Sequence, residues 1–213
     1  LEALADSLDD ARAVALDLAE RGAAGRLMKN IAAAGEHVDL LVNNAGFGLW
    51  GPVADLDAGR QREMIDLNCG ALTELSRAVL PGMIERKAGA ILNVASTAAF
   101  QAGPRMAVYF ATKAYVLSFT EALHEEVKPH GIKVSALCPG PTRTEFGQVA
   151  GFSAGKTFDK LGMDAAAVVE QGLRSLGRNQ AVRVTGTLNK VGAAATRFVP
   201  RPLLRKIAGA MKF

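Results

Sequence analysis

Tyr109 and Lys113, with Ser96 thirteen positions before the tyrosine, are the residues of this sequence best suited to moving a proton. A spacing of four puts two side chains one turn apart on one face of a helix. The run Ala107–Lys128 carries Val108, Ala111, Tyr115, Phe119 and Leu123 near the 3.6-residue period, which predicts such a helix. Lys113 can then hold an ammonium beside the Tyr109 phenol. A free tyrosine ionises near ~10, and a close cation lowers a neighbouring acid by roughly 1–3 units. The expectation is a phenol that exchanges its proton with a substrate oxygen near neutral pH. Ser96 closes the strand-like run Ala90–Ala95 and adds a hydroxyl able to bond the same oxygen. Helices contain many Y-x-x-x-K pairs, so the information lies in the three residues together.

The elements that must position them alternate along the chain. Strand patterns at Ala13–Leu16, Val38–Val42, Ala90–Ala95, Ile132–Cys138 and Ala181–Val184 are separated by helical patterns at Ala19–Ala34, Asp57–Lys87, Ala107–Lys128 and Asp164–Gly177. Such alternation predicts an α/β fold, a doubly wound parallel sheet with helices on both faces in three α/β/α layers. Asn43-Asn44-Ala45-Gly46 follows the apolar run Val38–Val42, Asn68 lies in the helical stretch Met64–Asn68, and Pro139-Gly140-Pro141-Thr142-Arg143-Thr144 follows Cys138.

With N-N-A-G, a helix asparagine, S-x12-Y-x3-K and P-G-x-x-x-T in this order, the chain resembles the short-chain dehydrogenase/reductase family up to about Gly186. The resemblance implies a Rossmann-like domain and an NAD(P)-dependent oxidoreductase that interconverts a carbonyl and an alcohol. It makes Tyr109 the proton donor in reduction and the acceptor in oxidation. Lys113 would lower the phenol's pKa and hydrogen-bond the nicotinamide ribose, and Ser96 would orient the carbonyl. Asn68 would hold a helix irregularity and a water linking Lys113 to solvent. Asn44, Ala45 and Gly46 would form the turn against the adenosine half of the cofactor, with Asp17 and Leu18 at the adenine. Pro139, Gly140, Thr142 and Thr144 would hold the carboxamide end. Hydride chemistry belongs to the cofactor; the protein supplies orientation and electrostatics.

The family's T-G-x-x-x-G-x-G turn, whose helix N-terminus receives the pyrophosphate, does not occur in these residues. The resemblance implies a further strand–turn–helix unit of roughly forty residues ahead of Leu1, by analogy with a strand–helix–strand unit of at least ~30 residues. That unit would carry the choice between NADP and NAD, with NADP leaned towards. Gly46-Phe47-Gly48-Leu49-Trp50-Gly51 satisfies G-x-G-x-x-G literally. Pro52 and Val53 follow instead of a helix start, so it reads as a loop leading to the substrate pocket.

Phe47, Trp50, Ala98, Phe100, Met106 and Phe146 are the expected pocket wall. They suit a small or apolar ketone, aldehyde or acyl chain. The glycine-rich stretch 145–162 would lie over the site as a lid. Cys69 and Cys138 read as buried thiols of a cytoplasmic protein, neither disulfide nor metal ligands, and no metal is expected. His37, His124 and His130 read as surface or loop residues. The chain is expected to be one domain, 1–213, with a basic amphipathic extension at 187–213. Nine of its 25 Lys and Arg, and none of its 21 Asp and Glu, fall in residues 171–213. The remainder therefore carries sixteen basic and 21 acidic residues. Packing of the basic tail on this subunit or a sister subunit is the favoured expectation, and contact with an anionic membrane surface is the alternative. No recognition motif for nucleic acid accompanies the charge. The long helices at 57–87 and 107–128 resemble those through which relatives form homodimers or homotetramers. A second functional reading is a nucleotide-binding sensor or scaffold of the same fold, but such a protein has no need of all four of Asn68, Ser96, Tyr109 and Lys113.

Overall fold

Four of the five apolar runs become strands of one parallel sheet in the computed structural model, which describes residues 2–151 and 162–210. Strands β1 (Leu40–Asn43), β2 (Ala90–Val94), β3 (Lys133–Cys138) and β4 (Val182–Val184) lie side by side in sequence order. The helices are α1 (Glu2–Ala5), α2 (Ala23–Ala33), α3 (Ala58–Ile65), α4 (Leu72–Arg86), α5 (Ala107–Val127), α6 (Phe146–Ala150), α7 (Ala165–Gly177), α8 (Thr187–Ala195) and α9 (Arg201–Ala210). Successive strand residues point to opposite faces. Ile91 and Val134 thus pack with Val79 and Met83 of α4 and Leu123 and Val127 of α5. Leu92 and Leu137 on the other face pack with Val168 and Leu176 of α7. The result is a Rossmann-like α/β/α arrangement.

Several expectations need correction. Residues 11–17 form no strand, because no described residue pairs with the outer edge of β1. A strand without a neighbour has no ladder to take its N–H and C=O groups. The helix expected at 19–34 begins only at Ala23, after Gly22 turns left-handed at φ 78°. The helix expected at 57–87 is three pieces: α3, capped by Asp57 accepting from Arg60 N at 2.7 Å, a π-helical turn Asp66–Ala71, and α4. His124 is not a surface residue. It is buried, with Nδ1 2.7 Å from the Val134 carbonyl. Of the expected lid, 152–161 lie outside the described residues, as do Met211, Lys212 and Phe213 of the tail. The described tail is two helices, α8 and α9, with Ala193 and Ala208 buried. No helix among the described residues is long and apolar enough to cross a membrane.

Candidate active site

The C-terminal ends of β1, β2 and β3 and the first turns of α5 converge on one place. Tyr109 and Lys113 stand one turn apart on α5 and are only 8% and 6% exposed. Lys113 Nζ donates to the Val94 carbonyl at the end of β2 over 2.8 Å and lies 5.8 Å from the Tyr109 ring centre. Ser96, two residues beyond β2, is extended (φ −174°) and caps the short 3-10 helix Thr97–Phe100 by accepting from Ala98 N at 3.1 Å. Its hydroxyl also donates to the Pro139 carbonyl over 3.4 Å, tying the loop after β2 to the loop after β3.

Asn68 sits in the π-helical turn, where one extra residue per turn rotates the side chain inward. Its Nδ2 donates to Phe47 O at 2.9 Å and Thr112 Oγ1 at 3.1 Å, and its Oδ1 accepts from Phe47 N at 3.1 Å. Thr112 in turn donates to the Tyr109 carbonyl over 2.7 Å. Asn68 thus clamps the loop after β1 to α5. Gly46 is demanded by this clamp: a Cβ there would meet Asn68 Oδ1 at 2.8 Å and Lys113 Nζ at 3.7 Å. Below it, Asn43 Nδ2 donates to Ser76 Oγ and Asn93 Oδ1, and Asn93 donates to Thr120 Oγ1 at 3.0 Å. Every member of this ladder is buried. The sequence reading missed Thr112 and Asn93. An asparagine in the otherwise apolar run Ala90–Val94 was the available signal for Asn93.

Phe47, Ala98, Met106 and Tyr109 form one buried cluster with Met64 and Ala150, and Trp50 and Phe146 pack against it. Five of the six expected wall residues therefore surround the tyrosine. Phe100 does not: it packs in a separate cluster with Leu72, Ala95 and Val116. The Phe146 and Tyr109 ring centres are 5.2 Å apart. A Cβ on Gly48 would meet Phe146, Met106 and Tyr109 within 2.8 to 3.3 Å. The phenol is thus roofed by Phe146 and floored by the Gly48 backbone.

This dry setting reverses the expected effect of the lysine. Burial pushes the Tyr109 phenol up to about 12, partly offset by its hydrogen bond with Ser96. Burial likewise brings Lys113 down to about 8, opposed by the nearby Cys69 and Cys138. Desolvation outweighs the cation here because the Lys113 ammonium is directed at Val94 O rather than at the phenol oxygen. The two thiols are themselves pushed up by burial, Cys69 to about 11 and Cys138 to about 12, and stay protonated at neutral pH.

Asn44, Ala45 and Gly46 are exposed at the end of β1. Asp17 and Leu18 lie in the irregular segment before α2, with Asp17 Oδ1 accepting from Ala19 N at 2.9 Å. After β3, Thr142 donates to Gly140 O at 3.0 Å and Thr144 accepts from Phe146 N at 3.3 Å. The Asn189 side chain of α8 occupies the space a Cβ on Gly140 would need. Residues 44–46 and 140–144 follow the C-terminal ends of β1 and β3, where Lys113 and Ser96 also lie. Whether they fit a nicotinamide cofactor is tested best at Lys113. An ammonium has three donors, and among the described residues Val94 O takes one. A buried amine with donors to spare suits a pair of ribose hydroxyls.

The pattern of the family described as short chain dehydrogenase matches residues 1–151. A very-long-chain 3-oxoacyl-CoA reductase of Bos taurus is 37% identical over 121 residues, 54% of this chain and 38% of that protein. A short-chain dehydrogenase from Sphingobium yanoikuyae, solved in complex with NADPH, superposes with a TM-score of 0.79 at 27% identity, covering 100% of this chain and 82% of the other. A 3-ketoacyl-(acyl-carrier-protein) reductase from Brucella melitensis, complexed with NADH, gives a TM-score of 0.76 at 26% identity over 86% of this chain and 81% of the other. This chain spans less than half the length of curated relatives such as the bovine reductase. Since the matched residues, 1–151, take in β1, β2, β3 and the whole of α5, the chain belongs to the short chain dehydrogenase family.

Proposed function

We propose that this chain catalyses NAD(P)-dependent interconversion of a carbonyl and an alcohol on an apolar substrate. The observation that carries the reading is the meeting of Tyr109, Lys113, Ser96 and the Asn68 clamp beside one apolar cluster. Asn44, Ala45 and Gly46, with Asp17 and Leu18, would border the adenosine half of the cofactor. Pro139, Gly140, Thr142 and Thr144 would border its carboxamide end, and Lys113 would take the ribose. The cofactor, NADP or NAD, supplies and accepts the hydride. Related structures hold NADPH and NADH, which supports either.

In reduction the substrate carbonyl sits between Ser96 and Tyr109. Ser96 donates to the oxygen, and Tyr109, protonated far above neutral pH, gives it a proton. In oxidation the phenolate takes that proton back, and the ammonium of Lys113 stabilises it. Asn68 keeps the loop after β1 and α5 in register. The wall of Phe47, Trp50, Ala98, Met106 and Phe146 excludes water and selects apolar groups. An acyl substrate suits that wall, and two of the relatives named above act, by their descriptions, on 3-oxoacyl or 3-ketoacyl compounds. We place the protein in the cytoplasm as a homodimer or homotetramer; the exposed Ile65 at the end of α3 and Tyr115 on α5 support an oligomer.

The test is Tyr109→Phe assayed on apolar ketones and 3-oxoacyl thioesters with NADPH and NADH, beside cofactor titration. Turnover should fall by roughly 10²–10⁴-fold, the usual contribution of a positioned acid–base group, while cofactor affinity holds. Turnover at the wild-type rate would refute the assignment.

A further inference from the structure

Helices α8 and α9 form a surface that the proposed reaction does not use. Leu188, Val191, Ala195 and Phe198 recur at steps of three, four and three, which puts them on one side of α8 and the turn after it. Leu188 is 79% exposed and Phe198 86%. Leu203 and Ile207, one turn apart on α9, are half exposed. Lys190, Arg197, Arg201, Arg205 and Lys206 stand exposed along the same two helices and the turn between them. Arg197 is next to Phe198 and Lys206 next to Ile207, with Lys190, Arg201 and Arg205 flanking the apolar stripes. No ion pair among the described residues engages any of the five. The arrangement is fixed to the body of the protein: Ala208 is buried, and a Cβ on Gly209 would touch Pro104, two residues before Met106 of the pocket wall.

The charge decides what can cover this surface. Residues 171–213 carry nine Lys and Arg and no acid, against sixteen basic and 21 acidic residues in the rest. A second copy related by a two-fold axis would bring like charge against like charge. A large apolar side chain exposed next to unpaired cations instead matches a surface that is anionic and, beneath its head groups, apolar. The charge asymmetry would also turn the chain so that this end approaches such a surface first. Ten residues of α9 span ~15 Å, enough to lie along a bilayer and too short to cross it.

We propose that α8, α9 and the turn between them dock the protein on an anionic lipid surface, with Leu188, Val191, Phe198, Leu203 and Ile207 entering the head-group layer and the five cations meeting lipid phosphates and carboxylates. The docking is independent of the oxidoreductase activity and is read without it. Because α9 rests on Pro104, the rim of the apolar pocket stands close to the docked face.

The test is sedimentation of the intact protein with vesicles of phosphatidylcholine containing about one-third phosphatidylserine, beside vesicles of phosphatidylcholine alone, with light scattering to follow the oligomer. The wild type should sediment with the anionic vesicles only, and salt should release it as the Debye length shrinks from ~14 Å to ~4 Å between about 50 and 500 mM. Each basic residue near such a surface contributes about fivefold in partitioning. Arg201→Gln, Arg205→Gln and Lys206→Gln together should therefore weaken binding on the order of a hundredfold. Leu188→Ser, Val191→Ser and Phe198→Ser should weaken it as well, with thermal stability and oligomer unchanged in both sets. Failure of the wild type to bind anionic vesicles would overturn the proposal. So would either set dissociating an oligomer while leaving vesicle binding intact, which would mean that a second copy covers the surface.

Discussion

Replacing Lys113 by methionine should change the pH dependence of stability, and the structure gives the size of the change. Burial lowers this amine from its ordinary 10.5 to about 8. Below about 8 the lysine is charged both folded and unfolded, so the folded state bears the full cost of holding an ammonium in an apolar site. Between about 8 and 10.5 the folded chain has released the proton while the unfolded chain still holds it, and stability rises with pH. Integrated from about pH 7 to about pH 9.5, the gain is on the order of 2 kcal/mol, or roughly 4–8 °C in Tm for a chain of this size. Lys113→Met has no such proton to release. The bond lost at Val94 O shifts the variant by the same amount at both pH values, so it cancels from the comparison. Cys69, Cys138 and Tyr109 titrate upward of this window and belong to both proteins. Urea unfolding of the two proteins at both pH values measures the double difference. The wild type should gain on the variant as pH rises. A difference that stays flat, or that falls, would show that Lys113 is not desolvated in the folded chain.

In a Tyr115→Phe background Tyr109 is the remaining tyrosine. Its phenolate absorbance should appear near pH 12, and Phe146→Ala, which admits water to the ring, should move the midpoint down toward the ordinary 10; an unmoved midpoint would show that Phe146 does not roof the phenol. Gly46→Ala puts a Cβ 2.8 Å from Asn68 Oδ1 and should cost about 1–3 kcal/mol with a loss of turnover, whereas Gly25→Ala, in open space on α2, should stabilise by up to ~1 kcal/mol. Denaturant midpoints and kcat decide the second pair, and equal effects at the two glycines would refute the clamp.

The strand and helix alternation was readable because each run keeps its own period. Leu41, Ile91 and Val134 lie in those runs and pack in the core. The buried face of α5 was not legible in the same way: the apolar period runs through Val108, Ala111, Tyr115 and Phe119, yet Ala111 and Tyr115 are exposed while Tyr109, Thr112, Lys113, Val116 and Thr120 are buried. Local pattern failed where pairing decides structure. Residues 13–16 look strand-like, yet among the described residues nothing offers them a ladder. It failed again where one residue alters the helical repeat: the hydrophobic pattern of Asp66–Ala71 does not announce a π-turn, and only the family resemblance, through Asn68, pointed to an irregularity there. His124 was misplaced because a polar side chain on a helix was read as solvated, whereas the Val134 carbonyl satisfies it inside. The direction of the Tyr109 shift was misjudged for a related reason. Spacing says that a cation is near, but burial and the aim of the ammonium decide which effect wins, and both depend on residues far away in sequence.

Those two shifts together explain why the site is built in an apolar cluster. Desolvation opposes any single charge, so at neutral pH it keeps Tyr109 a proton donor and leaves Lys113 a marginal cation. A low-dielectric pocket strengthens the attraction between opposite charges as well as penalising isolated ones, so a paired charge costs less there than a lone one. When the phenol gives up its proton, phenolate and ammonium stand as a pair, and their attraction offsets part of the desolvation cost that each bears alone. For this the ammonium must turn from Val94 O toward the phenol oxygen, one turn away on the same helix. Asn68 keeps that turn of α5 fixed against the loop after β1, through Thr112 on one side and Phe47 on the other. The π-turn is what delivers Asn68 to this position, so the irregularity in the helix and the proposed acid–base pair belong to one device.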